Sequence, residues 1–173
     1  MAQRLVVIGG GAAGMSAASA ARRTNPACEI TVLEATGYAA YGFCGIPYYL
    51  AGLLGRAEEL VSYPPSYFRQ RRRIQLRLHA RALALDPDQR VVHYRDTTQE
   101  ARLCYDRLVV AAGGVPVLPA LPGLDDDRVL TVRTLEVPSC CVACWMRVES
   151  LGPLWWVLVT SGWRWLKPYT PVA

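Results

Sequence analysis

Three groups in this chain have the types and spacing to act together. The first is the run Gly9-Gly10-Gly11-Ala12-Ala13-Gly14, which fits G-x-G-x-x-G at Gly9, Gly11 and Gly14. The second is Glu34, at the end of the apolar run Ile30-Thr31-Val32-Leu33 and about 20 residues past the glycines. The third is Cys44, in Gly42-Phe43-Cys44-Gly45-Ile46-Pro47-Tyr48-Tyr49. Gly9 permits a tight turn, Gly11 lets backbone approach a pyrophosphate, and Gly14 lets a helix pack close to a strand. A pyrophosphate then sits on free N–H groups at the helix N-terminus. An acid placed like Glu34 binds ribose hydroxyls. A dinucleotide site followed closely by a lone thiol points to redox chemistry at sulfur. The plainer alternatives are a glycine-rich turn in an unrelated α/β protein and a buried, inert thiol. Cys28 and Cys104 take that second reading. Cys44 is set apart by Gly45 and Pro47, which place it on a loop-to-helix turn, where thiols gain nucleophilic character.

These groups need a scaffold, and the chain supplies one. Leu5 to Ile8 reads as a buried parallel strand stopped by glycine. Ala12 to Arg23 is Ala-rich and free of proline, a helix ended by Asn25-Pro26. Ile30 to Leu33 is the second strand, which completes a βαβ start. A helix is expected over Ser66 to Arg73, after Pro64-Pro65. Two strand-like runs follow, Gln75 to Leu85 and Arg90 to Tyr94, joined at Asp86-Pro87-Asp88-Gln89. Arg107 to Gly114 reads as a strand ending in a second glycine turn. The expected fold class is α/β: a Rossmann-like domain with a parallel central sheet, a small antiparallel insertion, and an unstructured or poorly packed tail. The domain covers 1–136 and the tail 137–173.

Composition narrows the function. The chain has 173 residues, 52% hydrophobic and 19% charged, which suits a folded protein and excludes a disordered one. The formal charge of +5 comes almost wholly from arginine. Arg69, Arg71, Arg72, Arg73, Arg77 and Arg81 could attract nucleic acid, but a solvated helix end leading into a strand explains them better. No nucleic-acid partner is expected. The start at Met1-Ala2-Gln3-Arg4 shows no leader, and the apolar stretch from Leu151 to Leu166 is broken and falls short of a bilayer span. A cytoplasmic protein with reduced thiols and no membrane partner is expected. Asp125 to Asp127 read as a solvated turn, and no metal is expected. His79 and His93 fall outside any catalytic constellation.

The glycine motif together with Cys44-Gly45-Ile46-Pro47-Tyr48-Tyr49 closely resembles the FAD domain of single-cysteine pyridine nucleotide-disulfide oxidoreductases. The nearest branch is the coenzyme A-disulfide reductases, with NADH oxidases, NADH peroxidases and persulfide reductases as relatives. The resemblance runs from about Gln3 to Leu135. It implies FAD held by Gly9, Gly11, Ala13, Gly14 and Glu34, with the Ala82 backbone reading the adenine and Ala112 and Gly113 near the flavin. It implies Cys44 as the redox cysteine, NAD(P)H as electron donor, a small-molecule disulfide or persulfide substrate, and a homodimer in the full-length family. Arg22, Arg23 and Arg72 match positions of basic contacts to coenzyme A phosphates; solvated arginine is the equal alternative. The chain departs from the family at Ala40 and Phe43, where relatives often carry Ser and Asn, so the substrate stays open. A nonenzymatic nucleotide-binding remnant is the alternative to an enzyme.

After about Glu136 the composition changes. All five tryptophans lie between Trp145 and Trp165, and Cys140, Cys141 and Cys144 crowd together. The codons of Leu154 to Trp165, read from their third bases with permitted wobble, give Val-Val-Gly-Ala-Gly-Tyr-Ile-Gly-Leu-Glu-Met-Ala. This frame holds a second G-x-G-x-x-G, so the tail is expected to be out-of-frame translation. The Cys141-to-Cys144 spacing is then an accident and not a redox pair.

Overall fold

The computed structural model describes residues 2–120, 122, 131–136, 156–159 and 162–165. They fall into two compact units: 1–41 with 61–136, and 42–60 with the tail. The first unit is built on the expected βαβ. β1 (Arg4–Ile8) leads through α1 (Ala12–Thr24) to β2 (Glu29–Leu33). β1 and β2 pair in parallel with Val6 opposite Thr31 and Ile8 opposite Leu33. The right-handed crossover rule makes this the expected arrangement.

β3 (Ile74–Arg77) extends the sheet beside β2, and β7 (Arg107–Val110) pairs with β1, giving the all-parallel order β3-β2-β1-β7. Period-2 alternation sorts its side chains onto two faces. Leu5, Val7, Ile30, Val32 and Ile74 pack with Met15 and Ala18 of α1 and Phe68 of α3 (Pro65–Arg72). Val6 and Leu33 take the other face with Ala80, Val92, Tyr94 and Tyr105. That second face is covered by an antiparallel sheet, β4 (Arg81–Asp86), β5 (Val91–Arg95) and β6 (Glu100–Cys104), in the order β4-β5-β6. The central strands β1 and β2 are thus buried on both sides, which is why they read as continuous apolar runs.

Two details depart from the sequence reading. The run Gln75 to Leu85 is two strands in two different sheets. The chain breaks at Leu78–Ala80, where His79 takes a left-handed φ of 54°. Cys104 is exposed, not buried: it ends an edge strand of the small sheet, whereas Cys28 lies inside the core. Asp125 to Asp127 lie outside the described residues, as do the tail cysteines. In the tail the backbone forms a short antiparallel hairpin, β8 (Trp156–Val159) with β9 (Gly162–Trp165).

The second unit begins at Gly42. A 3₁₀ turn over Phe43–Gly45 leads into α2 (Ile46–Leu50), and a further 3₁₀ turn spans Ala57–Leu60. Gly42 N–H donates to Leu60 O at 2.9 Å and closes this segment. Among the described residues no helix is long and apolar enough to cross a membrane, and no cluster of metal-ligating side chains occurs.

Polar contacts fix where the first unit's chain ends lie. Asp106 accepts the Arg4 N–H at 2.7 Å and meets the Arg4 guanidinium at 3.2 Å. These hydrogen bonds and the Arg4 charge hold the Asp106 carboxyl below its usual range. Its share of stability is therefore present above the unfolded carboxyl pKa and is lost as pH falls through the lower folded value. Tyr41 is the opposite case: burial raises its phenol pKa. Its contribution is complete below the unfolded phenol pKa and disappears as pH rises through the folded one. Thermal melting against pH is expected to show a plateau bounded by both limbs. Asp106→Asn should flatten the acid limb and Tyr41→Phe the alkaline one.

Candidate functional site

The glycine run forms the turn from β1 into α1. Gly9 has φ +104°, a left-handed backbone that suits glycine. A Cβ at Gly9 would collide with the Ala111 carbonyl, and one at Gly14 with the Gly9 carbonyl. Both neighbours are backbone and cannot swing aside. The second glycine turn is therefore seated directly on the first: Ala111 N–H donates to Ile8 O at 2.7 Å, and Gly113 has φ +72°. Gly11 is the N-cap of α1, extended at φ −72° and ψ −170°, and no side chain caps the helix. Met15 N–H donates to Gly11 O at 3.0 Å, while the N–H groups ahead of it are the unsatisfied ones of a helix start. Ala12 and Ala13 are exposed there. This is a cradle for an anion: open N–H donors, the positive end of a thirteen-residue helix, and no side chain in the way.

Glu34 is brought to the same turn. Its Oε2 accepts the Gly10 N–H at 2.6 Å. Its Oε1 accepts the Thr36 N–H at 2.8 Å and the Thr36 hydroxyl at 2.7 Å. A carboxylate has about four acceptor positions, so one on Oε2 is left for a ribose hydroxyl. Thr36 is the residue that sequence reasoning missed; its signal is an Asx-type spacing two residues past an acid. Glu34→Ala is expected to free the Gly10 N–H and unclamp the 34–36 turn. A partly buried donor left without its partner costs about 1–3 kcal/mol. Dinucleotide affinity should fall, read by titration, while Glu34→Gln keeps part of both.

The remaining sequence-predicted positions divide. Ala112 and Gly113 lie exposed on the second turn, beside the first. Ala82 lies on β4 opposite Tyr94, next to a bulge between Ala82 and Ala84. The strand is reached from Ala80, whose N–H donates to Glu34 O at 2.8 Å. Arg22 has structural work: its guanidinium donates to the carbonyls of Arg72 at 2.9 Å, Arg73 at 2.7 Å and Pro26 at 2.7 Å. It caps the C-terminus of α3 from the end of α1. The Arg72 guanidinium lies 5.9 Å from the Tyr67 ring centroid, and Arg23 is exposed.

Cys44 belongs to the second unit and is exposed at the centre of the Phe43–Gly45 turn. Gly45 N–H donates to Gly42 O at 3.0 Å, and a Cβ at Gly45 would collide with the Leu60 side chain. The turn thus presents one sulfur outward over a glycine-floored loop. In native alkylation followed by mass spectrometry, Cys44 and Cys104 are expected to react before Cys28, which is only 5% exposed.

The sequence profile of the pyridine nucleotide-disulphide oxidoreductases matches residues 3–146. The NAD(P)H sulfur oxidoreductase (CoA-dependent) of Pyrococcus abyssi is 41% identical over 139 residues, which is 80% of this chain and 30% of that protein. The coenzyme A disulfide reductase of Staphylococcus haemolyticus is 28% identical over 137 residues, 78% of this chain and 30% of that protein. Among solved structures, the NAD-dependent persulfide reductase from A. fulgidus superposes with a TM-score of 0.73 at 34% identity, covering 86% of this chain and 28% of that one. The chain spans about 30% of the length of the curated relatives it matches. Members of the matched family are FAD-containing, NAD(P)H-dependent oxidoreductases. With two glycine turns stacked, an acid clamped to the first, and a profile match over most of its length, this chain belongs to the pyridine nucleotide-disulphide oxidoreductases.

Proposed function

We propose that this chain binds the adenine dinucleotide of FAD and supplies the redox cysteine of an NAD(P)H-driven reductase for small disulfides or persulfides. One observation carries the cofactor reading: the uncapped start of α1 faces solvent with Glu34 fixed beside it. The N–H groups from Ala12 to Gly14 would hold the pyrophosphate, and Glu34 Oε2 would accept a ribose hydroxyl. The Ala82 backbone would meet the adenine, and the Ala112–Gly113 turn would leave room for the ring system. When bound, FAD relays two electrons between a nicotinamide and sulfur.

Cys44 supplies the sulfur. Its thiolate attacks one sulfur of a substrate disulfide, forms a mixed disulfide, and releases the other half as a thiol. The substrate class follows the relatives, whose names specify coenzyme A disulfide and CoA-dependent sulfur reduction. Arg23, exposed, and Arg72, whose guanidinium lies over the Tyr67 ring, remain the candidates for phosphate contacts; Arg22 serves better as a helix cap. The domain is assigned to 1–136, and a homodimer is proposed for the full-length enzyme.

The test is colour. Purified with excess FAD and desalted, the chain should be yellow, and addition of NAD(P)H reports whether reducing equivalents reach the flavin. A folded, colourless protein would overturn the cofactor assignment. A yellow protein inert to NAD(P)H would favour the nonenzymatic reading for this chain.

A further inference from the structure

We infer that the DNA encoding the C-terminal segment carries, one base out of step from a point between Glu136 and Leu154, the start of a second dinucleotide-binding domain. The tail as translated here is then the displaced reading of that DNA. The fold sets the upstream limit of the displacement. Leu135 is 2% exposed and donates its N–H to the Tyr41 hydroxyl at 3.3 Å. Glu136 Oε1 accepts the Gly37 N–H at 2.5 Å. Residues that dock so specifically on the first unit are in the domain's own frame. The forced codons of the displaced frame begin at Trp155, so the displacement lies between Glu136 and Leu154.

Downstream, the amino acids restrict the overlapping codons that begin on each third base. Trp155-Trp156-Val157 forces GTG and then GGT, that is Val-Gly. The codon before that pair has T in its second position and is apolar. From the forced glycine, the next two glycine positions of G-x-G-x-x-G fall on the codons spanning Leu158/Val159 and Ser161/Gly162. Both have G as second base, as glycine requires. A strand, a glycine turn and a helix must follow in that order for a dinucleotide site. From the codon spanning Gly162/Trp163 to that spanning Tyr169/Thr170, no choice of wobble base can encode glycine or proline. A permitted reading of the whole stretch after the motif is Leu-Glu-Met-Ala-Glu-Ala-Leu-His, a strong helix former. In the frame as translated, Trp156–Val159 and Gly162–Trp165 instead pair as the antiparallel strands β8 and β9.

Loss of one base, or a ribosome stepping back one base, produces this relation between frames. The encoded unit would take the pyrophosphate of a dinucleotide, as the first unit does. The inference rests on codons and fold and not on flavin binding, so failure of the colour test leaves it standing.

Sequencing the gene from source DNA across codons 130–173 decides it. Leu158 must end in G, Ser161 must be TCG, and the displaced frame must run without a stop through Ala173. Any other third base at Leu158 or Ser161, or a stop codon spanning Leu166/Lys167, overturns the inference.

Discussion

Gly14→Val is expected to unseat α1 and abolish dinucleotide binding together. The Cβ would enter the space of the Gly9 carbonyl oxygen, with Val7 Cγ1 3.2 Å away on the other side. That carbonyl belongs to the turn on which Ala111 also sits, so it cannot retreat. The helix must move off β1 and carry Met15 and Ala18, two fully packed core residues, with it. Overpacking of this kind costs about 1–3 kcal/mol, and the valine branches add to it. Melting temperature should fall by roughly 5–15 °C, measured by circular dichroism. Gly10→Ala makes the contrast. Its Cβ would meet the Glu34 and Ala39 side chains at 3.0–3.1 Å, which can shift by a few tenths of an ångström. A drop as large in Gly10→Ala as in Gly14→Val would show that the close helix–strand approach is not what holds the turn.

The second large effect is chemical. Cys44→Ser is expected to retain flavin and lose disulfide reduction. Cys44 lies outside the unit that contains the glycine turns and Glu34, so its loss leaves the cradle intact. Serine is far less nucleophilic at neutral pH and cannot form the mixed disulfide. The chain loaded with FAD, reduced anaerobically with dithionite and mixed with coenzyme A disulfide, gives a direct reading. Return of the flavin absorbance with release of thiol is expected, slower by at least about 100-fold in Cys44→Ser. Equal rates in the two proteins would remove Cys44 from the reaction, and equal behaviour of Cys104→Ser and Cys44→Ser would leave no reason to single it out.

Much of this was legible in the residues, for physical reasons. β1 and β2, at the centre of the parallel sheet, are buried on both faces, so their sequences are plain apolar runs. α1 is set by alanines and stopped by Asn25-Pro26, and the observed span, Ala12–Thr24, differs by one residue. The failures are equally physical. The apolar alternation runs on from Ile74 through Leu76, Leu78 and Ala80 to Ala82, so nothing local marks the change of sheet at Leu78–Ala80; the tertiary fold decides it. β6 is an edge strand of alternating exposed and half-buried residues, Glu100 to Cys104, too charged to stand out. Its edge position also exposes Cys104. At the site, the glycine spacing and Glu34 were readable because each falls at a strand end that the apolar runs mark plainly. Thr36 was overlooked although its bonds to Glu34 are local; the capping role of Arg22 was not readable, because it depends on which backbone groups the fold brings near. For Arg22 those are carbonyls fifty residues away in sequence.

The claim that the first glycine turn holds FAD is tested most directly by titrating FAD into the wild-type chain and Gly11→Val. Gly11 sits at φ −72° and ψ −170°, a backbone that any residue adopts, so valine there should keep the fold, at a cost of about 1 kcal/mol for a poorer N-cap. It would place a side chain where the pyrophosphate approaches the helix. The account predicts saturable flavin binding by the wild type and at least about a 100-fold loss in Gly11→Val, roughly 2.7 kcal/mol, with circular dichroism preserved. Undiminished flavin binding by a folded Gly11→Val protein would contradict it.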